Sequence, residues 1–316
     1  MLHHAHFYMK GGSEPFASSA SWPCQNAKAD IQVSFTREFS VPYKKAAYRY
    51  SLGDQLQARP IFRWPDFRAE FQQEIDKMTD TSENEAPPAG PPWIQPDIQQ
   101  KIKWRDGDVV VSVPLKSGTT WTMNIVHQLV TGGTADFQDI YEEVPWIEFL
   151  GFPEQPHQDV VDRVSAMPAN LRRAFKTHSP PPAVPFQAAG SGKDVKYVVV
   201  FRNPEEAFVS FWPFVNKHSD DWFGLWGMPR EAMCRPDFPS FYSDVIDANG
   251  MQGAVFGFLA AWWPLRNEPN VMFLHYADMK EDHEGSVRKI ADFIGEAPSE
   301  DQWANILEYT SFPWMK

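Results

Sequence analysis

Residues 113–121 read Val-Pro-Leu-Lys-Ser-Gly-Thr-Thr-Trp, a set of groups suited to gripping an anion. Lys116 brings a positive charge, Ser117, Thr119 and Thr120 bring hydroxyls, and Gly118 allows a tight turn. A helix opening here would add unpaired N–H groups and the positive end of its dipole. That chemistry is a phosphate cradle. The plainer use of such a segment is a turn that merely caps a helix, but strand, lysine, glycine, paired threonines and helix coincide. A nucleoside triphosphate P-loop places its lysine after a second glycine, as G-x-x-x-x-G-K-[ST]. Here Lys116 precedes Gly118, and the loop has no upstream glycine. Arg202, not a Walker-type acid, ends the next buried run, so no Mg²⁺ or other metal is expected.

The elements that must hold these groups are legible from about residue 97 onward. Asp108–Val113 (DVVVSV) is a short β-branched run, as in a buried parallel strand. After the Gly118 turn, Trp121, Ile125, Val126 and Leu129 recur at helical spacing until Gly132-Gly133. Val195–Phe201 is a second buried strand, running into Arg202-Asn203-Pro204-Glu205-Glu206. That is a helix start: Asn203 caps, Pro204 suits the first turn, and the two glutamates complement the dipole. Val271–Tyr276 is a third strand, followed by a helical stripe of Val287, Ile290, Ala291 and Ile294 up to Gly295. Strands alternating with helices predict an α/β fold, a central parallel sheet with helices on both faces. Ligands of such sheets sit beyond the carboxyl ends of the strands, where the motifs fall.

Composition narrows the function. The 316 residues carry 29 Lys+Arg against 41 Asp+Glu, a net charge of −12. That disfavours nucleic acid and anionic membrane as partners, so an anion must be held by a few local cations. Aromatics make up 15% of the chain, with 13 Trp, enough to line a core or a pocket for flat apolar ligands. Two cysteines, Cys24 and Cys234, build no disulfide framework and suit a reducing compartment, so a cytoplasmic location is expected. The apolar run near residues 254–265 is too short to span a membrane, and the N-terminus lacks the pattern of a signal peptide. His3, His4 and His6 are read as part of a terminal segment rather than as a metal site. Residues 1–96 are read as an N-terminal extension ending in the Pro-rich linker TSENEAPPAGPPWIQP, and 97–316 as the working domain.

Five segments, in order, resemble the cytosolic sulfotransferase family, which uses 3′-phosphoadenosine 5′-phosphosulfate (PAPS). Lys116–Trp121 is similar to the family's P-K-S-G-T-T-W, with Leu115 in the place of the proline. Lys176-Thr177-His178-Ser179-Pro180 is similar to K-T-H-L-P, and Arg202-Asn203-Pro204 with Ser210 to R-N-P…S. Phe273–Asp282 looks like F-L-x-Y-E-D-M-K-E-D, and Thr310–Lys316 like T-S-F-x-x-M-K. The resemblance covers residues 97–316 and implies a P-loop-like three-layer sandwich. It implies that Lys116, Ser117, Gly118, Thr119 and Thr120 hold the 5′-phosphosulfate and that Trp121 stacks on the adenine. Arg202 and Ser210 would take the 3′-phosphate, Tyr276 would touch the adenine, and Thr310, Phe312 and Met315 would close over the nucleotide. His178 becomes the base for the acceptor hydroxyl, since imidazole titrates near neutral pH. Lys116, with Lys176 in support, becomes the cation beside the departing oxygen, and Ser210 restrains Lys116 before acceptor binds. Trp146, Phe149 and Phe214 would line a pocket for a small apolar or aromatic acceptor. The product nucleotide would be adenosine 3′,5′-bisphosphate.

Each residue also has a plainer use. Arg202 can pair with Glu205 or Glu206, His178 can be structural, and Trp121, Tyr276 and the pocket aromatics can be core. The sequence also departs from the family pattern. The family's R-K-G-x-x-G-D-W-K motif would follow Lys316, where the sequence ends, so either this is a fragment or Arg202 and Ser210 carry the 3′-phosphate. Missing charge-assisted contacts of about 1.5–3 kcal/mol each would weaken PAPS binding by orders of magnitude. Two other functions stay open: an inactive sulfotransferase-like nucleotide- or ligand-binding protein, and a P-loop kinase of small molecules, which the position of Lys116 disfavours. Acceptor identity and oligomeric state are not encoded in any motif.

Overall fold

The structure, a computed structural model, describes residues 91–315. The expectations for His3, His4, His6, Cys24, the extension and the first part of the linker lie outside the described residues. Four strands form one parallel sheet: β1 (Val109–Ser112), β2 (Ala174–Thr177), β3 (Lys196–Phe201) and β4 (Val271–His275), in the order β2-β1-β3-β4. β1 is therefore central, flanked by strands that follow it in sequence on both sides. The chain reverses its direction of growth across the sheet at β1, and in open parallel sheets that is where ligands bind.

Side-chain alternation explains the two covered faces. Val109, Val111, Val198 and Val200 join one cluster with helix α1 (Thr119–Thr131), helix α5 (His283–Ile294) and Ile306 of helix α6 (Glu300–Tyr309). Val110, Tyr197 and Val199 point to the other face, against Phe258 and Trp262 of helix α4 (Met251–Trp262). Sheet and two helical layers make the P-loop-like α/β sandwich. Helix ends follow the local signals. Asn203 accepts from the Glu205 and Glu206 amides to start α3 (Pro204–Asn216), and Gly132 ends α1 in the left-handed region. Helix α2 (His157–Ala166) covers the β2 edge through Val164, which packs with Phe175 and Ile147. Pro213 lies inside α3 without ending it; the helix runs on to Asn216.

The last residues of the expected linker are held in place. Trp93 packs edge-on against Trp222 and Trp226 at 4.8 and 5.6 Å. Its carbonyl accepts from Leu150 N at 2.9 Å, while Gln95 N donates to the Glu148 carbonyl at 2.7 Å. At the amino edge of the sheet, Lys193 and Asp106 form an exposed ion pair at 2.8 Å, and Gly107 N donates to Asp194 O.

A buried pair secures the entry to β1 and β2. Arg173 meets Asp108 through Nε at 2.9 Å and Nη2 at 2.5 Å, with both side chains 1% exposed. The guanidinium also donates to the carbonyls of Val164 and Lys103. Removing the cation would leave a buried carboxylate without its partner. Arg173→Met is therefore expected to lower the free energy of unfolding by about 3–5 kcal/mol, read from urea denaturation.

Candidate active site

The carboxyl ends of all four strands open on one edge, and the residues singled out above gather there. β1 leads through Val113 and Pro114 into the turn at Lys116–Gly118. Lys116 has φ of +56° and Gly118 +96°, both in the left-handed region. For lysine that conformation is costly, and it is supported: Arg202 Nη1 donates to the Lys116 carbonyl at 3.0 Å. Gly118 is obligatory for a second reason, because a Cβ there would lie 2.7 Å from the Tyr276 ring. Behind it the first turn of α1 presents its free amides. The Thr119 hydroxyl is buried there with no partner. Ser117 Oγ donates to the Leu115 carbonyl at 3.3 Å, and Thr120 is exposed at the helix start.

Cations converge on the cradle. Lys116 Nζ lies 4.2 Å from the centre of the Phe214 ring, and Arg202 lies over Tyr276 at 4.6 Å. Burial, then Arg202 and Lys217, push the Lys116 ammonium below its ordinary pKa. Arg202 Nε also pairs with Glu206 at 3.2 Å, which is the plainer use weighed for it. Its Nη1 contact to the cradle coexists with that pair. Half-buried positive groups and a buried, unsatisfied hydroxyl fit an anion of phosphate type at this turn.

β2 delivers Lys176 and His178. Register sets Lys176 beside Val111 and Thr177 beside Ser112, so His178 lies next to Val113 at the mouth of the cradle. Its Nδ1 bonds to the Val113 carbonyl, which can only accept. In the neutral ring Nδ1 therefore carries the proton and Nε2 keeps a lone pair. Burial, then the charge of Lys176, holds the His178 pKa well below the usual imidazole range, so the ring is neutral at pH 7. Lys176 is 3% exposed and its pKa is pushed down to about 7, chiefly by burial, with Glu148 opposing the fall. Its Nζ sits 3.3 Å from the Trp146 ring centre and 4.9 Å from that of Tyr141.

The aromatic residues divide into two groups. Trp146 stacks on Phe149 at 4.7 Å and meets His178 edge-on at 4.8 Å, which puts an apolar wall beside the imidazole. Phe214 is 43% exposed on α3, one turn after Ser210. Ser210 is half-buried and forms no hydrogen bond to Lys116 in this arrangement. The second group surrounds Trp121, which is 4% exposed. Phe312 lies 4.4 Å from it, His283 stacks at 5.9 Å, Tyr276 meets it edge-on at 5.8 Å, and its Nε1 donates to Thr310 O at 2.8 Å. Met315 packs on the same core cluster. His283 was not singled out in the sequence. It holds the Thr310 hydroxyl at 2.9 Å, and it follows directly on the Phe273–Asp282 segment, where only its position signalled it. Among the described residues no cluster of His, Cys, Asp and Glu has the spacing of a metal site. No helix among them is long and apolar enough to cross a membrane.

The cradle geometry can be tested through its glycine. Gly118→Ala adds a methyl against the Tyr276 ring and forces alanine to a positive φ. A loss of about 1–3 kcal/mol is expected, seen as a lower midpoint of thermal unfolding.

Comparison with known proteins agrees with this arrangement. The family model described as the sulfotransferase domain matches residues 106–316. Human sulfotransferase 1E1 is 31% identical over 222 residues, covering 70% of this chain and 70% of the relative. Rat sulfotransferase 1A1 is 30% identical over 227 residues, covering 69% and 70%. Among solved structures, mouse sulfotransferase SULT7A1 complexed with PAP has a like fold, with a TM-score of 0.53, 22% identity and 70% coverage of each chain. From the cradle on β1 to the turn at Thr310, the chain belongs to the sulfotransferase family.

Proposed function

We propose that residues 97–316 form a domain that moves a sulfuryl group from PAPS to a hydroxyl or amine of a small apolar or aromatic acceptor. The observation that carries this is the meeting of β1, β2 and β3 at one edge. There a cationic cradle with an unpartnered Thr119 hydroxyl faces a histidine whose Nε2 is free to accept a proton. PAPS, when bound, supplies the sulfuryl group and leaves as adenosine 3′,5′-bisphosphate. PAP in the mouse relative of like fold supports the same nucleotide class. No metal has a part in this scheme.

Lys116, Ser117, Gly118, Thr119 and Thr120 would hold the 5′ end with backbone amides, hydroxyls and one ammonium. Arg202 would turn its forked donors to the 3′-phosphate, with Ser210 beside it on α3. The Trp121 and Phe312 rings lie 4.4 Å apart, and an aromatic base between them needs about twice the ~3.5 Å carbon contact distance. Phe312, which is 40% exposed, would therefore swing outward to admit an adenine, with Tyr276, Thr310 and Met315 around its edge. His178 Nε2 takes the proton of the acceptor hydroxyl as attack proceeds. Lys116 and Lys176 face the charge that develops on the departing oxygen. Trp146, Phe149 and Phe214 give the acceptor an apolar wall and exclude water. The chain's likeness to this family and its two cysteines support a cytoplasmic enzyme working on a small molecule. Nucleic acid and membrane have no place in the scheme.

Transfer from ³⁵S-labelled PAPS to a panel of phenols and alcohols tests the reading. His178→Ala is expected to cut kcat by roughly 10²–10⁴-fold with PAP affinity kept. PAP-dependent thermal stabilisation without any transfer would instead mark a binding protein. The pH dependence is a separate check. His178 stays deprotonated down to pH values well below 6.5, so the acid limb of kcat/KM lies there. Lys176 loses its proton near pH 7, so kcat/KM is expected to fall above that value.

A further inference from the structure

Glu148 has no part in the transfer scheme, yet it is the carboxylate most deeply placed within it. Its side chain is fully buried. Oε1 accepts the Thr177 hydroxyl at 2.9 Å and the His178 backbone N–H at 2.6 Å. These are consecutive residues at the end of the strand that presents Lys176 and His178. The loop carrying Glu148 is itself laid along that strand. Lys176 N donates to Pro145 O at 2.9 Å, Ile147 N donates to Lys176 O at 3.1 Å, and Trp146 bridges Lys176 in parallel. From the other side, Gln95 N donates to the Glu148 carbonyl, so the loop is pinned at both flanks.

A buried carboxylate is expensive, and a neutral side chain would serve if packing were all that mattered. Two features give the charge a purpose. Oε1 spends its lone pairs on the Thr177 hydroxyl and on the His178 backbone N–H, the peptide that carries the imidazole. The same carboxylate lies within the electrostatic reach of the buried Lys176 ammonium and favours its charged form. Burial pushes the Glu148 carboxyl above its ordinary pKa; the Trp146 indole, the His178 N–H, the Thr177 hydroxyl and Lys176 oppose that rise, while Oε2 lies buried with no aligned hydrogen-bond partner. The titratable groups facing one another here are Glu148 from the loop, Lys176 and His178 from the end of β2, and Lys116 from the cradle. Tyr141 adds only a ring face beneath the Lys176 ammonium.

We propose that Glu148 is a positioning residue for sulfuryl transfer: its carboxylate fixes the Thr177–His178 backbone and clamps the aromatic acceptor loop to the strand bearing Lys176 and His178. The inference rests on the reading of His178 as the base. It ties acceptor-side packing and base orientation to one side chain, so a shift of the loop moves the imidazole with it.

Glu148→Gln keeps the shape and an accepting oxygen but removes the charge. Its kcat is expected to fall about 10–100-fold, as for a small misplacement of a reacting group, with PAP affinity within about twofold of wild type. Without the nearby anion Lys176 gives up its proton more easily, so the alkaline limb of the rate profile moves to lower pH. In ¹⁵N-histidine NMR spectra the His178 ring signals shift, while those of His127, whose ring packs on Phe137, do not. Glu148→Asp, which keeps the charge on a shorter stem, restores the alkaline limb but not the full kcat. A Glu148→Gln protein with wild-type kcat, pH profile and His178 ring signals would overturn the proposal. If that variant does not fold, Glu148→Asp decides through the same spectra: unshifted His178 signals overturn it. If the wild-type protein transfers nothing, the transferase reading falls, and the ring spectra still decide whether Glu148 orients His178.

Discussion

Positive charge held away from water is the constraint on which the site depends. An acidic chain must bring Lys116, Lys176 and Arg202 to one sheet edge and keep them there before any anion arrives. Each cation is compensated differently. Arg202 has Glu206 and a backbone carbonyl, Lys116 has the Phe214 ring, and Lys176 has two ring faces and the influence of Glu148. Ring faces stabilise an ammonium without neutralising it, so the field at the cradle stays positive. Loss of solvation by the cations also makes their attraction for a polyanion stronger than it would be in water.

The sheet turns this constraint into geometry. Because β1 is central, its neighbours β2 and β3 place their end residues on either side of the cradle, one supplying the imidazole and the other the guanidinium. Register leaves little freedom: a slip of one residue in β2 would send Lys176 to the opposite face. The Asp108–Arg173 pair stands where β1 and β2 begin, and so it fixes that register from the far end.

Much of this could be read in the sequence where structure is local. The Val-rich runs of β1 and β3, the Asn203 cap and the Gly132 and Gly295 stops all depend on neighbours within a few residues. β2 was legible only as a motif. Its four residues, Ala-Phe-Lys-Thr, are all buried, and a lysine inside a strand breaks the apolar pattern. Its strand character comes from pairing with β1, some 65 positions away. The hydrogen-bond role of Glu148 was hidden for the same reason: its donors lie 29 and 30 residues on, and no periodicity reports them. The cover over Trp121 joins Phe312 and His283 to a residue far earlier in the chain, so spacing named the ring without showing what lies on it. Trp93 reads as part of a proline-rich linker, although its ring is held between Trp222 and Trp226.

The exposed ion pair of Lys193 and Asp106 lies at the amino edge, the far side of the sheet from the cradle. Chemistry and attachment are thereby separated by the length of the strands. A dye, an affinity handle or a surface linkage at the exposed loop before β3 would sit, among the described residues, at the edge opposite the cradle.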